Sequence, residues 1–273
     1  MTNSETEHQG SFLCELISFI HDLILIGKVY MLDGGSLELD KSFLTWKVGY
    51  GTKIRFPVWS TYIETDEAKI LVDTGFSLEH AKKYLGFEDP WQTLEQRVDN
   101  QLKKIGVQPE QIDIVLHTHL HFDHCGNNSL FPKATFIVQK EEMRHAYAPD
   151  RFEALGYLRD DFDIPGLHYE LVTGEQRVVE GVTTVMTPGH TAGHQTVLVE
   201  CKNEGLLILE NDAIFTQENL QKRIIGGLHY NALDMYESMM KLSNIAKQRK
   251  AKIMFSHDAE FFKTLKLTPN FYQ

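Results

Sequence analysis

The sequence predicts an α/β fold in which two groups of strands are layered with helices. Three observations carry that prediction. Apolar runs of strand length recur along the chain, segments with helical period lie between them, and several runs end at a histidine or aspartate where a turn begins. Strands in two groups with helices between them pack as a layered α/β sandwich.

The elements follow in order. Residues 58–64 and 68–73 are apolar runs separated by Thr65-Asp66-Glu67, and the second runs into Asp73-Thr74-Gly75. A short helix is expected from a Ser77 cap to Gly86. A second, over residues 93–105, places Leu94, Val98, Leu102 and Ile105 on one face before Gly106 stops it. The β-branched run 112–116 reads as a buried strand. Residues 134–139 form another strand and 140–146 a polar helix. Residues 147–169 mix aromatics with Asp, Gly and Pro without a clean period and read as a pocket wall. Residues 177–186, 196–201 and 206–210 read as consecutive strands, with Lys202-Asn203-Glu204-Gly205 turning the last pair. Asn231 caps a helix reaching about residue 248, and 252–255 is a final strand.

Composition narrows the function classes. An apolar fraction of 42% over 273 residues suits one globular domain with a real core. Acidic residues outnumber basic ones 38 to 27, a formal charge of −11 that argues against nucleic acid as the partner. Cys14, Cys125 and Cys201 are odd in number and widely spaced, so buried free thiols and a reducing, cytoplasmic setting are expected rather than a disulfide framework. Residues 11–32 are strongly apolar, but Glu15, His21, Asp22 and Lys28 interrupt them and the leading residues are acidic. A signal peptide or membrane anchor is therefore not expected. Residues 1–27 are therefore read as an extension with an amphipathic helix between Phe12 and Ile24 that suits core packing or a homodimer contact, and 28–273 as a single domain.

The chemistry is concentrated in His119-Leu120-His121-Phe122-Asp123-His124, three imidazoles and a carboxylate within six residues. Borderline divalent cations such as zinc favour these donors. One loop cannot complete two metal sites, and three further donors lie where apolar runs end: His190 after 177–186, Asp212 after 206–210, and His257 after 252–255. Cys125 follows His124, but the set is complete without a thiolate.

These residues resemble the metallo-β-lactamase superfamily, and within it the N-acyl homoserine lactone lactonases. The resemblance runs from about Lys28 to Phe262. It rests on Leu71-Val72-Asp73-Thr74-Gly75, on the run from His119 to Asn127, on Thr187-Pro188-Gly189-His190-Thr191-Ala192-Gly193-His194-Gln195, and on Ser256-His257-Asp258. It implies an αβ/βα four-layer sandwich in which two mixed β-sheets pack face to face with helices outside. It also implies that His119, His121 and His190 bind one ion, that Asp123, His124 and His257 bind a second, and that Asp212 bridges them. The ions would be two divalent metals, zinc by default. His117 is left out because a motif starting there would put His121 where Asp is required. His194 and Asp73 are expected to support the ligands from behind.

The activity that the resemblance implies is opening of the lactone ring of N-acyl homoserine lactones by a metal-bridging hydroxide, with Asp123 passing a proton to the leaving alkoxide. The chain departs from the lactonase pattern at one point. A tyrosine usually stands three residues after the bridging Asp, and here that position is Phe215. Tyr230 and His229 are the candidates for the missing donor. The alternative is another hydrolase of the same fold, such as a glyoxalase II-like thioesterase or a β-lactamase.

Overall fold

The computed structural model describes residues 27–84 and 89–273. Strands β1 (Lys28–Asp40), β2 (Lys53–Glu64), β3 (Lys69–Val72), β4 (Ile114–Leu116), β5 (Thr135–Gln139) and β6 (His168–Val172) make one sheet in that order. Strands β7 (Gln176–Val179), β8 (Val182–Met186), β9 (Gln195–Cys201), β10 (Gly205–Leu209) and β11 (Lys252–Met254) make the other, in the order β11-β10-β9-β8-β7. Both sheets are mixed. The β1–β2–β3 pairings are antiparallel and β3 to β6 are parallel, whereas β7 to β10 are antiparallel and β11 joins β10 in parallel.

Side-chain alternation explains the layering. In β10, Leu207 and Leu209 point into a core shared with Val72, Leu116 and Ile137 of the first sheet. Leu206 and Ile208, one residue out of phase, pack on Met235, Met239 and Leu242 of helix α7 (Ala232–Arg249). The first sheet does the same in reverse, since Ile114 and Leu116 face the second sheet while Val115 packs on Val98 and Leu102 of α2 (Val98–Lys103). The result is the expected four layers. Each large aliphatic side chain buried this way contributes about 1.5–3 kcal/mol.

The shorter helices are α1 (Leu78–Tyr84), α3 (Phe122–Cys125), α4 (Lys140–Tyr147), α5 (Arg159–Phe162), α6 (Gln217–Lys222) and α8 (Ala259–Phe262). The structure departs from the expected elements in three places. Residues 93–105 do not form one helix, because Arg97 adopts an extended ψ of 135° between a 3₁₀ turn and α2. The 177–186 run is a hairpin rather than one strand, turned at Gly181 with φ 74°. The first sheet also gains β1 and the edge strand β6. Among the described residues no helix is long and apolar enough to cross a membrane. The Phe12–Ile24 segment, with the dimer contact expected of it, lies outside the described residues.

Candidate metal centre

Five strands deliver the site from their carboxyl ends. β3 ends at Val72 and leads to Asp73, and β4 ends at Leu116 and leads to the His119–His124 loop. β8 leads to His190, β10 to Asp212 and β11 to His257. The seven expected ligand residues come together in two groups, His119, His121 and His190 in one, and Asp123, His124, Asp212 and His257 in the other. Within each group the candidate donor atoms lie within 4.8 Å of one another.

Asp212 stands between the groups. Its Oδ2 is 3.3 Å from His190 Nε2, 3.8 Å from His119 Nε2 and 3.3 Å from His124 Nε2, and its Oδ1 is 3.0 Å from His257 Nε2. Asp123 Oδ2 lies 3.7 Å from both His124 Nε2 and His257 Nε2.

The far side of each ring assigns its proton. His190 Nδ1 lies 2.9 Å from the Leu228 carbonyl, His257 Nδ1 lies 2.8 Å from the Pro57 carbonyl, and His124 Nδ1 lies 2.8 Å from the Asp73 carboxylate. Those partners only accept, so each Nδ1 donates, and in the neutral ring Nε2 then carries a lone pair. His119 follows suit. Its Nδ1 meets Thr118 Oγ1 at 3.1 Å, and that hydroxyl already donates to Asp73 Oδ2 at 2.7 Å. With the rings neutral, four imidazole lone pairs thus converge on a carboxylate that also has only lone pairs to offer. The Nε2 atoms of His119 and His124 are buried there without a hydrogen-bond partner among the described residues, and His121 faces the same group through Nδ1, 3.0 Å from His190 Nε2. Unpaired buried acceptors facing one another are costly, and a cation between them removes the cost.

Charge points the same way. Asp73, Asp123, Glu142, Glu210 and Asp212 are all buried around this cluster. Burial pushes the Asp123 carboxyl up, and Asp212 adds to the effect against the opposing His124 and His257. Burial would also raise Asp212, but His257 and His124 overcome it and hold that carboxyl well below the usual range. His124 is held well above the ordinary imidazole value despite its burial, by Asp212, Asp123 and Asp73, and His257 is raised by Asp212 in the same way. On the three-histidine side burial wins: His119 and His121 are pushed well down and His190 falls to about 4. One half of the centre attracts cations and the other keeps its rings neutral, as ligation requires. Imidazole and carboxylate donors in these numbers fit divalent metal ions.

The surrounding residues lock the ligands. Asp73 takes a positive φ of 56° and accepts from the Thr118 amide at 2.9 Å and from Asn211 Nδ2 at 2.7 Å, besides His124 and the Thr118 hydroxyl. His194 faces Thr187 Oγ1 at 2.9 Å and the Asn211 carbonyl at 2.6 Å, which places it behind the ligands. His117 lies 3.0 Å from Asn128 Oδ1 and 3.4 Å from Asp73. The Cys125 thiol donates to the Leu120 carbonyl.

Sequence reasoning missed two residues. Buried Glu142 on α4 accepts from the Leu120 amide at 2.9 Å, the Gly193 amide at 3.1 Å and Thr191 Oγ1 at 2.6 Å, tying the His119–His121 loop to the His190 loop. Buried Glu210 accepts from the Ile214 and Ser256 amides. Tyr157 packs its ring on His121 at 4.7 Å, so the expected wall region reaches the site at that point. A charged residue ending the apolar run Leu206-Leu207-Ile208-Leu209 was the one available signal, for Glu210.

Phe215 is fully buried, stacked on His257 at 5.7 Å and edge-on to His190 at 5.3 Å. A Cβ at Gly226 would meet its ring at 2.0 Å, so glycine is needed there. Of the two replacement candidates, His229 turns Nδ1 to the Gly226 carbonyl at 2.8 Å and its ring to Trp46. The Tyr230 amide donates to the Gly189 and His190 carbonyls, and its half-exposed ring packs on His145.

The metallo-beta-lactamase superfamily model matches residues 54–257. An N-acyl homoserine lactonase of Bacillus cereus is 32% identical over 254 residues, covering 90% of this chain and 99% of the relative. The N-acyl homoserine lactonase AttM of Rhizobium radiobacter is 32% identical over 258 residues, covering 90% and 98%. Among solved structures, an N-acyl homoserine lactone hydrolase with the product N-hexanoyl-L-homoserine bound at its catalytic metal center superposes with a TM-score of 0.81 at 31% identity, covering 90% of this chain and 99% of that one.

Proposed function

The chain belongs to the metallo-β-lactamase superfamily and, within it, to the N-acyl homoserine lactonases, and from that premise we propose that it is a dinuclear zinc hydrolase that opens the lactone ring of N-acyl homoserine lactones. The observation that carries the reading is the convergence of four histidine Nε2 atoms on the Asp212 carboxylate with their protons fixed on the far side.

In this reading His119, His121 and His190 would hold one ion, Asp123, His124 and His257 would hold the other, and Asp212 would serve both. Two bound dications supply a water acidified toward a pKa of about 7 and a Lewis acid for the ester carbonyl. The remaining work falls to side chains. Asp123 is buried, and its Oδ2 stands 3.7 Å from both His124 and His257, at the edge of the group. It is therefore suited to accept a proton from the attacking water and return it to the ring oxygen as the acyl C–O bond breaks, so that the product leaves as an alcohol. Asp73, Thr118 and the Leu228 and Pro57 carbonyls keep the rings in their ligating tautomers.

Phe215 offers no hydroxyl to the carbonyl oxygen. Neutral His229 is an acceptor at Nε2, because its Nδ1 donates to Gly226. Tyr230 is then the better placed donor, anchored by its amide to the His190 loop. The reading carries a reducing, cytoplasmic setting, in keeping with Cys125 and Cys201 as buried free thiols.

The test is a panel of acyl homoserine lactones, thioesters and β-lactams assayed on one zinc-loaded sample. Acid released from the lactones and abolished by chelation is expected. Faster cleavage of thioesters or β-lactams would overturn the substrate assignment.

A further inference from the structure

The loop that presents Asp212 has a backbone that needs support. Asn211 and Asp212 both take positive φ, 34° and 93°, a region that side-chain-bearing residues occupy only when their surroundings hold them there. His194 holds one point through the Asn211 carbonyl. Glu210 holds two others. Its Oε2 accepts from the Ile214 amide at 2.6 Å, closing the loop across Asp212, and its Oε1 accepts from the Ser256 amide at 3.0 Å, one residue before His257.

The same junction is stitched once more, and its Ser256 side is pinned to β2. The His257 amide donates to the Phe215 carbonyl at 3.0 Å, and Trp59 Nε1 donates to the Ser256 carbonyl at 2.7 Å. A single buried side chain therefore spans the two loops whose tips, Asp212 Oδ1 and His257 Nε2, meet at 3.0 Å. Glu142 makes the corresponding span on the other half of the centre, between the loops of His119 and His121 and of His190. Each half has its own carboxylate brace, set in a different part of the chain.

We infer that Glu210 is a positioning residue for the Asp123–His124–Asp212–His257 half of the centre, fixing the Asp212 carboxylate against the His257 imidazole and so setting the affinity of that half for a cation more strongly than that of the three-histidine half, which Asp212 also borders. The inference rests on the two-metal reading above. Glu210 touches neither substrate nor cation in this role. It acts through the backbone of residues 211–214 and 256–257. Glutamine keeps the size of Glu210 but turns an amide NH₂ toward one of two N–H donors, so one of the two ties must break.

The experiment is a titration of metal-stripped protein with cobalt(II), read by visible absorption and by competition with a chelator. It uses wild type and Glu210→Gln, each also in a His190→Ala background that cripples the three-histidine half and a His257→Ala background that cripples the other. Glu210→Gln is expected to weaken one of the two equivalents by about 10–100-fold. It should weaken the remaining equivalent similarly in the His190→Ala background and by a clearly smaller factor in the His257→Ala background, where Asp212 still borders the three-histidine half but has no His257 ring to be aligned against. Equal weakening in both backgrounds, or none in either, overturns the inference. Should Glu210→Gln not fold, Glu210→Asp, which keeps the charge and shortens the reach, takes its place with a smaller loss in the same background. Wild type that binds fewer than two equivalents would instead overturn the two-metal reading itself.

Discussion

Asp73→Asn is a clean perturbation of the centre, because asparagine tolerates the positive φ of 56° at this position and the backbone need not move. The wild-type carboxylate accepts at both oxygens: Oδ1 from the Thr118 amide at 2.9 Å, and Oδ2 from the Thr118 hydroxyl at 2.7 Å, His124 Nδ1 at 2.8 Å and Asn211 Nδ2 at 2.7 Å. An amide has one oxygen. Placed at Oδ2, it leaves the buried Thr118 N–H facing an NH₂, at a cost of about 1–3 kcal/mol, and turns the three charge-assisted bonds at that oxygen into neutral ones at about 1 kcal/mol each. The sum is about 4–6 kcal/mol out of the roughly 5–15 that hold a domain together. For a chain of this size that corresponds to a melting point lower by about 10 °C. The opposite amide flip saves the Thr118 bond but presses an NH₂ on His124, which must then move its proton to Nε2 and lose its lone pair. Either way the affinity of the second metal position should fall about 10–100-fold. Calorimetry of the stripped protein and chelator competition on the loaded protein measure the two effects. A variant that melts within 2 °C of wild type and keeps both metals would refute the argument that Asp73 fixes the His124 tautomer.

Other outcomes follow from the same geometry. The Tyr230→Phe, His229→Ala double variant should lose about 10²–10³-fold in kcat with metal content unchanged; full turnover would leave carbonyl polarisation to the metals alone. Gly193→Ala sets a Cβ 2.1 Å from the Glu142 amide nitrogen, so the His190 loop must shift, with about 1–3 kcal/mol lost in thermal or denaturant unfolding and weaker metal binding. For metal-stripped protein, His190 lies at about 4 and His119 and His121 are also depressed, so their effect is to remove stability as pH falls below the unfolded imidazole value near 6.5. His124 and His257 are raised, so their contribution is complete below that value and disappears as pH climbs through their folded pKa. Stability of the stripped protein should therefore peak near pH 6.5, and the loss on the alkaline side should vanish when metal replaces those protons. A monotonic rise through pH 8 would contradict this assignment of charge.

The candidate ligand residues were legible in the sequence because the loops that carry them begin where apolar runs stop, a local signal that survives without knowing which strands pair. The layering was legible for the same reason, since Leu206 to Leu209 and Ile114 to Leu116 carry their alternation openly. What escaped detection depends on contacts distant in sequence. Glu142 sits in a polar helix start and looks like a solvated charge until Leu120, Thr191 and Gly193 are brought onto it. Strand β1 hides behind Gly34-Gly35 and a register shift between Asp33 and Ser36, and β6 exposes much of its surface as an edge strand. The break at Arg97 is local but side-chain driven, its guanidinium turning back to Asp99.

The central claim is that seven side chains form one centre for two cations that hydrolyses a lactone. It is tested most directly by metal analysis of the purified chain alongside turnover of an acyl homoserine lactone, before and after chelation and on adding back zinc. Two equivalents per chain, with activity lost and regained in step with the second, is the predicted result. Ring opening that persists in fully stripped protein, or full activity with the second position empty, would contradict it.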